Sequence, residues 1–439
     1  MCDGDLHPEE ISAAIAEMHR ARSPGLDGLS AEFYQSYKDL LSPVLCRLFS
    51  AMQTENRCAE SFVRGVITLV YKNKGARTDL GNYRPISLLN TDYKILAKVL
   101  ASRLKRVIGS IVGPTQTYSI PGRDIADCIL STRFSFQQLM ATGGIYLSVD
   151  LEKAFDRVSH EFLFECLGVF GFGPTFRAWV ELLYGRATSV VKCNGFLTDP
   201  FPLERSVRQG CPLSAMLYAI VAEPLAKLIL SDTKINGIQS PTGSDFRIAQ
   251  YADDINIMVK DRNSLQRVLG HLTAYEHATG ARVNNNKSKL ILGPGTDLGG
   301  EGQGFKMGEE EFKLLGVYMG PQMEASIRRT WLEHIAWCRS RLGLWKMRGL
   351  GLRGKLARHV PGACMLFQEA AEAWADVLPH LQCMVTNKWD VLNQPIFGNP
   401  CLQGRAGLLK NRGVLGKAVQ QSRAWLVLGR KTAWEYQVL

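Results

Sequence analysis

The 439-residue sequence predicts an α+β fold in which an antiparallel sheet packs on helices. A short, β-rich apolar run at residues 145–149 ends on Asp150. Residues 247–260 predict two further strands, joined by a tight turn that carries Asp253 and Asp254. Segments in which apolar residues recur at helical spacing surround these strands. The predicted helices cover residues 8–20, 30–50, 92–108, 124–141, 159–170, 175–184, 214–230, 263–279 and 324–347.

Turn signals and shorter strands fill the space between the predicted helices. The stretch KNKGARTDLGNYRP predicts a polar, glycine-rich loop, which leads towards a basic helix at 92–108. The proline and glycines of RSPGLDG separate the first two helices, and a hairpin is predicted through Asp199 and Pro200. Further strands are predicted at residues 62–71, 188–193, 288–292 and 312–318.

The composition is that of a globular protein with an acidic partner. The chain is 46% hydrophobic and 21% charged, and its length suffices for about two or three subdomains. Its net charge is +11, and residues 321–439 carry most of it, with 17 Lys and Arg against 7 Asp and Glu. This charge favours nucleic acid or an anionic membrane surface as the partner.

Cysteine usage and hydropathy predict an intracellular protein, in the nucleus or cytoplasm. The eleven cysteines are scattered, with no CxxC pair, as is typical of free thiols in a reducing compartment. The N-terminus, MCDGDLHPEE, lacks the order of a signal peptide, so secretion is not expected. Glu223, Pro224 and Lys227 interrupt the most apolar stretch, so we expect no membrane span and no membrane partner.

The aspartates at the strand ends are the candidate catalytic residues. An isolated Asp-Asp pair in a turn usually caps the backbone. Together, Asp150, Asp253 and Asp254 would place three carboxylates at the ends of adjacent strands. These carboxylates would repel each other unless a divalent cation lay among them. Carboxylate oxygens suit Mg²⁺, and a pair of such ions stabilises in-line phosphoryl displacement. The pattern therefore indicates phosphoryl or nucleotidyl transfer.

Ordered motifs around these aspartates carry a family resemblance. LSVDLEKAFDRV, SVRQGCPLS, YADD, ARVNNNKSKL and KLLGVYMG occur in the order of the palm motifs of reverse transcriptases. LVYKNKG, GNYRPISLLNTDYKILAKVLASRL and QTYSIPGR look like fingers segments of non-LTR, LINE-type retrotransposon polymerases. The sequence resembles this family from about residue 23 to 320, with weaker thumb-like similarity to about 360.

The resemblance implies a right-hand polymerase fold with fingers, palm and helical thumb. A helical N-terminal region would occupy 1–60, the fingers 61–144, and the palm 145–304, with part of the fingers interleaved. The palm end and a basic thumb would occupy 305–360, ahead of a divergent basic tail at 361–439. From its composition alone, the basic helix at 324–347 fits a membrane surface or a peptide target; after a palm, we expect it to grip a template–primer backbone.

The resemblance also implies a role for individual residues. Asp150, Asp253 and Asp254 would bind two Mg²⁺ ions, with Mn²⁺ as an alternative. Phe155 would exclude a ribose 2′-hydroxyl, although the residue pattern alone fits a plain core aromatic. The remaining substrate contacts would be Arg84 at the triphosphate, Gln209 and Gly210 along the nucleotide pocket, and Lys287 as the proton donor to pyrophosphate.

The activity implied is RNA-directed DNA polymerisation, by attack of a primer 3′-hydroxyl on the α-phosphate of a dNTP. Its partners would be an RNA template, a DNA primer and dNTPs, and the sequence does not identify which protein partners it has, if any. We expect this chain to lack the endonuclease of LINE-type elements. Two other hypotheses remain at this point: a catalytically unused nucleic-acid-binding remnant of such an element, and a group II intron maturase, which the LINE-like YRPISLL and KLLGVYMG disfavour.

Overall fold

The computed structural model describes residues 2–239, 245–299 and 304–346. The chain divides into two compact units, the first reaching Met323 and the second beginning at Glu324. Helix α13 (Met323–Lys346) begins at this boundary and accounts for the described part of the second unit. The first unit contains α1 (Pro8–Ala16), α2 (Ala31–Ser36), α3 (Lys38–Glu55), α4 (Glu60–Val63), α5 (Thr91–Leu104), α6 (Ile108–Ile111), α7 (Ile125–Thr142), α8 (Ala154–Arg157), α9 (His160–Val169), α10 (Pro174–Tyr184), α11 (Ser214–Ser231) and α12 (Arg262–Thr279).

Among the described residues, the strands of the first unit form two five-stranded and two two-stranded sheets. The strands are β1 (Arg64–Tyr71), β2 (Tyr83–Leu88), β3 (Ile145–Val149), β4 (Thr188–Cys193), β5 (Phe196–Leu197), β6 (Phe201–Pro202), β7 (Ile238–Gln239), β8 (Asp245–Phe246), β9 (Ile248–Tyr251), β10 (Asp254–Val259), β11 (Lys289–Leu292), β12 (Lys306–Met307), β13 (Phe312–Leu314) and β14 (Val317–Met319).

The sheet that carries the aspartates has the order β12-β11-β3-β10-β9. Its strands run antiparallel except for the short parallel pair of β11 and β12. Strand β3 is central, with a strand paired to each of its edges, and the apolar side chains of IYLSV are buried. Strand β10 lies against β3 with Ile255 opposite Val149. This register brings the end of β3 to the start of β10.

The second sheet has the order β2-β1-β4-β5, and β6 also pairs with β4. The predicted hairpin through Asp199 and Pro200 is wrong, because β5 and β6 on either side both pair with β4. The hairpin turn lies instead at Asn194 and Gly195, whose φ angles are +50° and +88°. Asn-Gly accepts two positive φ angles and is therefore a stronger hairpin signal than Asp-Pro.

Strand β2 is absent from the sequence prediction, which placed Arg84 between a loop and a helix. In the structure Arg84 lies within β2, opposite Val70 of β1. Pro85 made this segment resemble a loop, but β2 is the edge strand of its sheet, where proline is tolerated. Arg84 is consequently held on a strand rather than on a flexible loop.

Helix α5 belongs to the core, although its sequence suggested a basic helix at 92–108. It ends at Leu104, and ten of its fourteen residues are buried. Arg103 turns inward and donates to both carboxylate oxygens of Glu10 in α1, at 2.8 and 2.6 Å. The same guanidinium donates to the carbonyl oxygens of Cys2, Gly4 and Asp5. A buried guanidinium needs such partners, so α5 and the N-terminal residues are fixed together.

Helix α11 is the most apolar helix of the described chain. By length and composition alone it could cross a membrane, but most of it is buried within the protein. Its residues pack on α9 and α12, and Tyr275 of α12 donates to the carbonyl of Val221. The helix is therefore part of the core, where it also contacts β9 of the aspartate-bearing sheet.

Candidate active site

The catalytic turn, residues 251–254, joins β9 to β10 and holds two of the candidate aspartates. Ala252 has φ +54°, a left-handed conformation that residues with a Cβ rarely adopt. Because Ile255 lies opposite Val149, the same register carried one step further sets Asp254 across from Asp150. The structure thus brings together carboxylates that lie about a hundred residues apart in the chain. They meet where two neighbouring strands of one sheet end, and we call this end of the sheet the acidic edge.

Burial raises the pKa of all three carboxylates, and repulsion from neighbouring aspartates adds to the shift at Asp253 and Asp254. Burial raises the pKa of Asp254 to about 7, and the charges of Asp253 and Asp150 push it in the same direction. The pKa of Asp253 is also raised, first by burial and then by Asp150. Burial raises the pKa of Asp150, while the ammonium of Lys287 opposes the shift. Carboxylates that destabilise each other in this way are suited to hold a cation.

The residues fit a divalent ion that keeps open coordination positions. In the described part of the chain, no group of three or more His, Cys, Asp or Glu side chains forms a ready-made ligand set. Mg²⁺ does not require one, because it keeps water ligands and takes others from substrate phosphates. The side chain of Asp150 is 42% exposed, so these ligands can reach the strand end from solvent.

The loop before β11 fixes Asp150 from the other side. Its backbone N–H donates to Oγ of Ser288 at 3.0 Å, and its carbonyl accepts from the N–H of Asn284 at 2.8 Å. Nζ of Lys287 lies 3.8 Å from Oδ2 of Asp150. The sequence prediction singled out Lys287 but not Asn284 or Ser288, which are recognisable only once their partner is known.

Phe155 stands in a cluster of aromatic rings beside the catalytic turn. Its half-buried ring stacks on Tyr218 of α11, with centroids 4.4 Å apart and planes at 9°. Tyr118 meets Phe155 edge-on at 6.4 Å and meets Tyr251 at 5.2 Å. The ring position is therefore fixed by its neighbours, while part of its surface stays accessible.

Gln209 and Gly210 join the loop before α11 to strand β2. The Ser87 N–H donates to the carbonyl of Gln209 at 2.8 Å, and Gln209 Nε2 donates to Asp156 at 3.4 Å. Gly210 has φ +121°, and a Cβ there would lie 2.6 Å from the carbonyl oxygen of Ser87. Only glycine fits so close an approach of two backbones.

A group of cations lies beside the acidic edge. Burial lowers the pKa of Lys72, and the charges of Arg84, Lys287 and Lys153 lower it further. Nζ of Lys72 donates to the carbonyl of Gly81, which holds the side chain at the base of the loop. The charge of Lys72 in turn opposes the raised pKa of Asp150. The site therefore combines an acidic edge with a cationic neighbour, the arrangement that a polyphosphate bound through metal ions requires.

Gln116 is a residue of this site that the sequence analysis did not single out. It lies in QTYSIPGR, is fully buried, and bonds to the backbone of Ala252. A lone glutamine in a loop carries no local signal of such a contact.

The pKa of Asp254 leads to a pH-dependent stability. A folded-state pKa raised to about 7 means that the folded state binds a proton more tightly than the unfolded state does. Without metal, we expect the melting temperature to fall as pH rises from about 4 to about 7, and Mg²⁺ to stabilise the protein more at pH 8 than at pH 6.

Scanning calorimetry at a series of pH values, with and without Mg²⁺, measures this effect. The buried Asp92 also has a raised pKa, about 6, so the comparison is made between wild type and Asp254→Asn. Asp253 and Asp150 also have raised pKa values, so the variant should have a shallower slope than wild type but not a flat one. An unchanged slope would contradict the assignment.

An antiparallel sheet with acids at the ends of its strands and cations beside them is typical of the palm of a template-directed polymerase. A family profile described as reverse transcriptase (RNA-dependent DNA polymerase) matches residues 71–319, more than half of the chain. The chain belongs to the reverse transcriptase family, and its reverse-transcriptase-type α+β fold confirms the fold class predicted from sequence. Members of this family generally use divalent metal ions.

Proteins similar in sequence to this chain include retrotransposon proteins, which confirms the resemblance to LINE-type elements. The transposon TX1 uncharacterized 149 kDa protein of Xenopus laevis is 36% identical, over 79% of this chain and 27% of its own length. The RNA-directed DNA polymerase from mobile element jockey of Drosophila melanogaster is 22% identical, over 72% of this chain and 35% of its own. The chain thus spans about a third or less of these relatives.

Among solved structures, the fold is similar to a telomerase from Candida tropicalis in complex with the TWJ fragment of telomeric RNA. The TM-score is 0.40 and the sequence identity 16%, over 63% of this chain and 47% of that one.

Proposed function

We propose that this chain is the RNA-directed DNA polymerase of a LINE-type retrotransposon. The observation that carries the proposal is the meeting of Asp150 with the turn of Asp253 and Asp254, beside the cations around Lys72. Family membership and the retrotransposon relatives support the same reaction.

The proposed chemistry is nucleotidyl transfer to a primer 3′-hydroxyl. Two Mg²⁺ ions, held by Asp150, Asp253 and Asp254, would supply activation of the hydroxyl and neutralisation of the phosphate charge, with Mn²⁺ as an alternative. The three carboxylates cannot bind a phosphate directly, because both are anionic; they would hold the ions that place the reacting phosphate at this end of the sheet. The aromatic cluster and the cations then set the orientation of the nucleotide around it.

Substrate contacts are assigned by their place around the acidic edge. Arg84 and Lys72 bind the triphosphate, the first with a planar guanidinium that can make paired hydrogen bonds. Gln209 and Gly210 line the base and sugar, where the backbone can approach closely. Lys287, beside Asp150, gives a proton to the departing pyrophosphate.

The proposed macromolecular partners are an RNA template and a DNA primer. The phosphates of both strands would be attracted by the excess of Lys and Arg in residues 321–439. We also propose that the protein works inside the cell, in the nucleus or cytoplasm. The cysteines of the described chain are free thiols, which fits a reducing compartment.

Primer extension tests the proposed function. Purified protein, an RNA template with an annealed DNA primer, four dNTPs and Mg²⁺ should give full-length DNA product, and chelation of the metal should stop it. Retention of the template–primer without any extension would instead favour a nucleic-acid-binding remnant.

A further inference from the structure

Residues 115–118 form an extra strand-like layer on the edge of the catalytic sheet. The N–H of Gln250 in β9 donates to the carbonyl of Thr115 at 2.7 Å. The carbonyl of Gln250 accepts from the N–H of Thr117 at 3.0 Å, in a parallel pairing. Strand β9 is the last strand of its sheet, so these bonds cover an edge that would otherwise be open.

The side chain of Gln116 reaches from this layer into the catalytic turn. Its Oε1 accepts from the N–H of Ala252 at 3.1 Å, and its Nε2 donates to the carbonyl of Ala252 at 3.3 Å. The same Oε1 also accepts from the N–H of Tyr118 at 3.0 Å. One carboxamide therefore satisfies both backbone groups of the residue that precedes Asp253.

Ala252 needs such support. Its left-handed φ of +54° is unfavourable for a residue with a Cβ, and persists only where the surroundings fix it. Ala252 is buried, so its N–H and carbonyl also need hydrogen-bond partners. Gln116, which is itself fully buried, meets both requirements.

The layer is anchored independently of the catalytic turn. The guanidinium of Arg123 donates to the carbonyl oxygens of Val112 at 2.8 Å and Gln116 at 2.9 Å. The buried carboxylate of Glu223 in α11 accepts a hydrogen bond from the backbone of Gly113. Gln116 is therefore presented from a fixed base on the core helix.

We propose that Gln116 is a positioning residue for catalysis: by holding Ala252 in its left-handed conformation, it sets where Asp253 stands relative to Asp150. Gln116 acts through Ala252 and touches no substrate. Without its carboxamide, the turn relaxes towards negative φ and the two metal-binding aspartates lose their register. This inference rests on the proposed polymerase function.

Three variants test the proposal. Gln116→Met keeps the side-chain length and removes the hydrogen bonds to Ala252 and Tyr118, while Gln116→Asn keeps the amide but is too short to reach Ala252. The matched control is Asn90→Leu, because Asn90 is a buried carboxamide that donates to the carbonyl of Ser61, remote from the aspartates.

Hydrogen–deuterium exchange and calorimetry give readouts that do not depend on activity. The Ala252 amide should lose protection in both Gln116 variants and keep it in Asn90→Leu. Titration with Mg²⁺ alone should show weaker binding in the Gln116 variants only.

Single-turnover extension, with enzyme in excess, gives the catalytic readout. At saturating dNTP, the rate constant of both Gln116 variants should fall about 10- to 100-fold, as expected for a reacting group displaced by about 1 Å, with little change in the KM for dNTP. As long as the folded enzyme stays in excess over template–primer, misfolding of part of a variant leaves this rate constant unchanged, so the test holds for poorly folding variants.

The outcomes separate the inference from the proposed function. The role of Gln116 would be overturned if the Ala252 amide stayed protected from exchange in the Gln116 variants. A single-turnover rate constant within twofold of that of wild type would overturn it as well. A raised KM with an unchanged rate would do the same, since it would place Gln116 at nucleotide binding. Absence of extension by wild type counts against the polymerase function, and the exchange and Mg²⁺ measurements then decide the role of Gln116 on their own.

Discussion

Asp150→Asn should abolish primer extension while leaving the protein folded. The substitution keeps the shape of the side chain but removes the charge that would hold the metal, so we expect the rate to fall by about a thousandfold or more. The metal-free variant should also melt at a higher temperature than wild type at pH 8. Its loss of charge relieves the repulsion that raises the pKa values of Asp253 and Asp254.

Asp92→Asn is the matched control for this experiment. Asp92 is also a buried acid with a raised pKa, about 6, but it lies at the start of α5. Extension by Asp92→Asn should match that of wild type. Activity in Asp150→Asn comparable to that of the control would remove Asp150 from the metal site.

Phe155→Val should admit ribonucleotides. The ring is held by its stack on Tyr218, and a smaller side chain would open space where a 2′-hydroxyl could lie. We expect the preference for dNTP over rNTP, expressed as a ratio of kcat/KM values, to fall on the order of a hundredfold, mainly through faster use of rNTP.

Phe162→Val makes the same change elsewhere, because Phe162 is a partly buried ring on α9 that packs against the core. It should lower stability and leave sugar discrimination intact. If both variants discriminate like wild type, Phe155 is only a core aromatic.

The local signals of the sequence were sufficient for the acidic edge. A short apolar run that ends on Asp150, and two strands around an Asp-Asp turn, are patterns that neighbouring residues determine. The resemblance to reverse transcriptases then supplied the order of the elements. The structure confirms the fold class and brings Asp150 and Asp254 together, whereas the roles of the substrate contacts remain predictions.

Features that depend on distant partners escaped the sequence analysis. Strand β2 exists because β1 pairs with it, and Pro85 hides it from a local reading. Arg103 lies in the segment predicted as a basic helix, yet it is buried and pairs with Glu10, 93 positions away. Gln116 meets Ala252 across 136 positions, so nothing near either residue predicts their contact.

The dispersed origin of the acidic edge has a consequence for how the protein acquires its structure. The backbone of Asp150 is hydrogen-bonded by Asn284 and Ser288, which the ribosome synthesises more than 130 residues later. Contacts of such long range form slowly, because loop closure must precede them. In a nascent chain the site around Asp150 therefore stays incomplete until synthesis has passed β11. In a fragment that stops earlier, β3 lacks β11 as its neighbour.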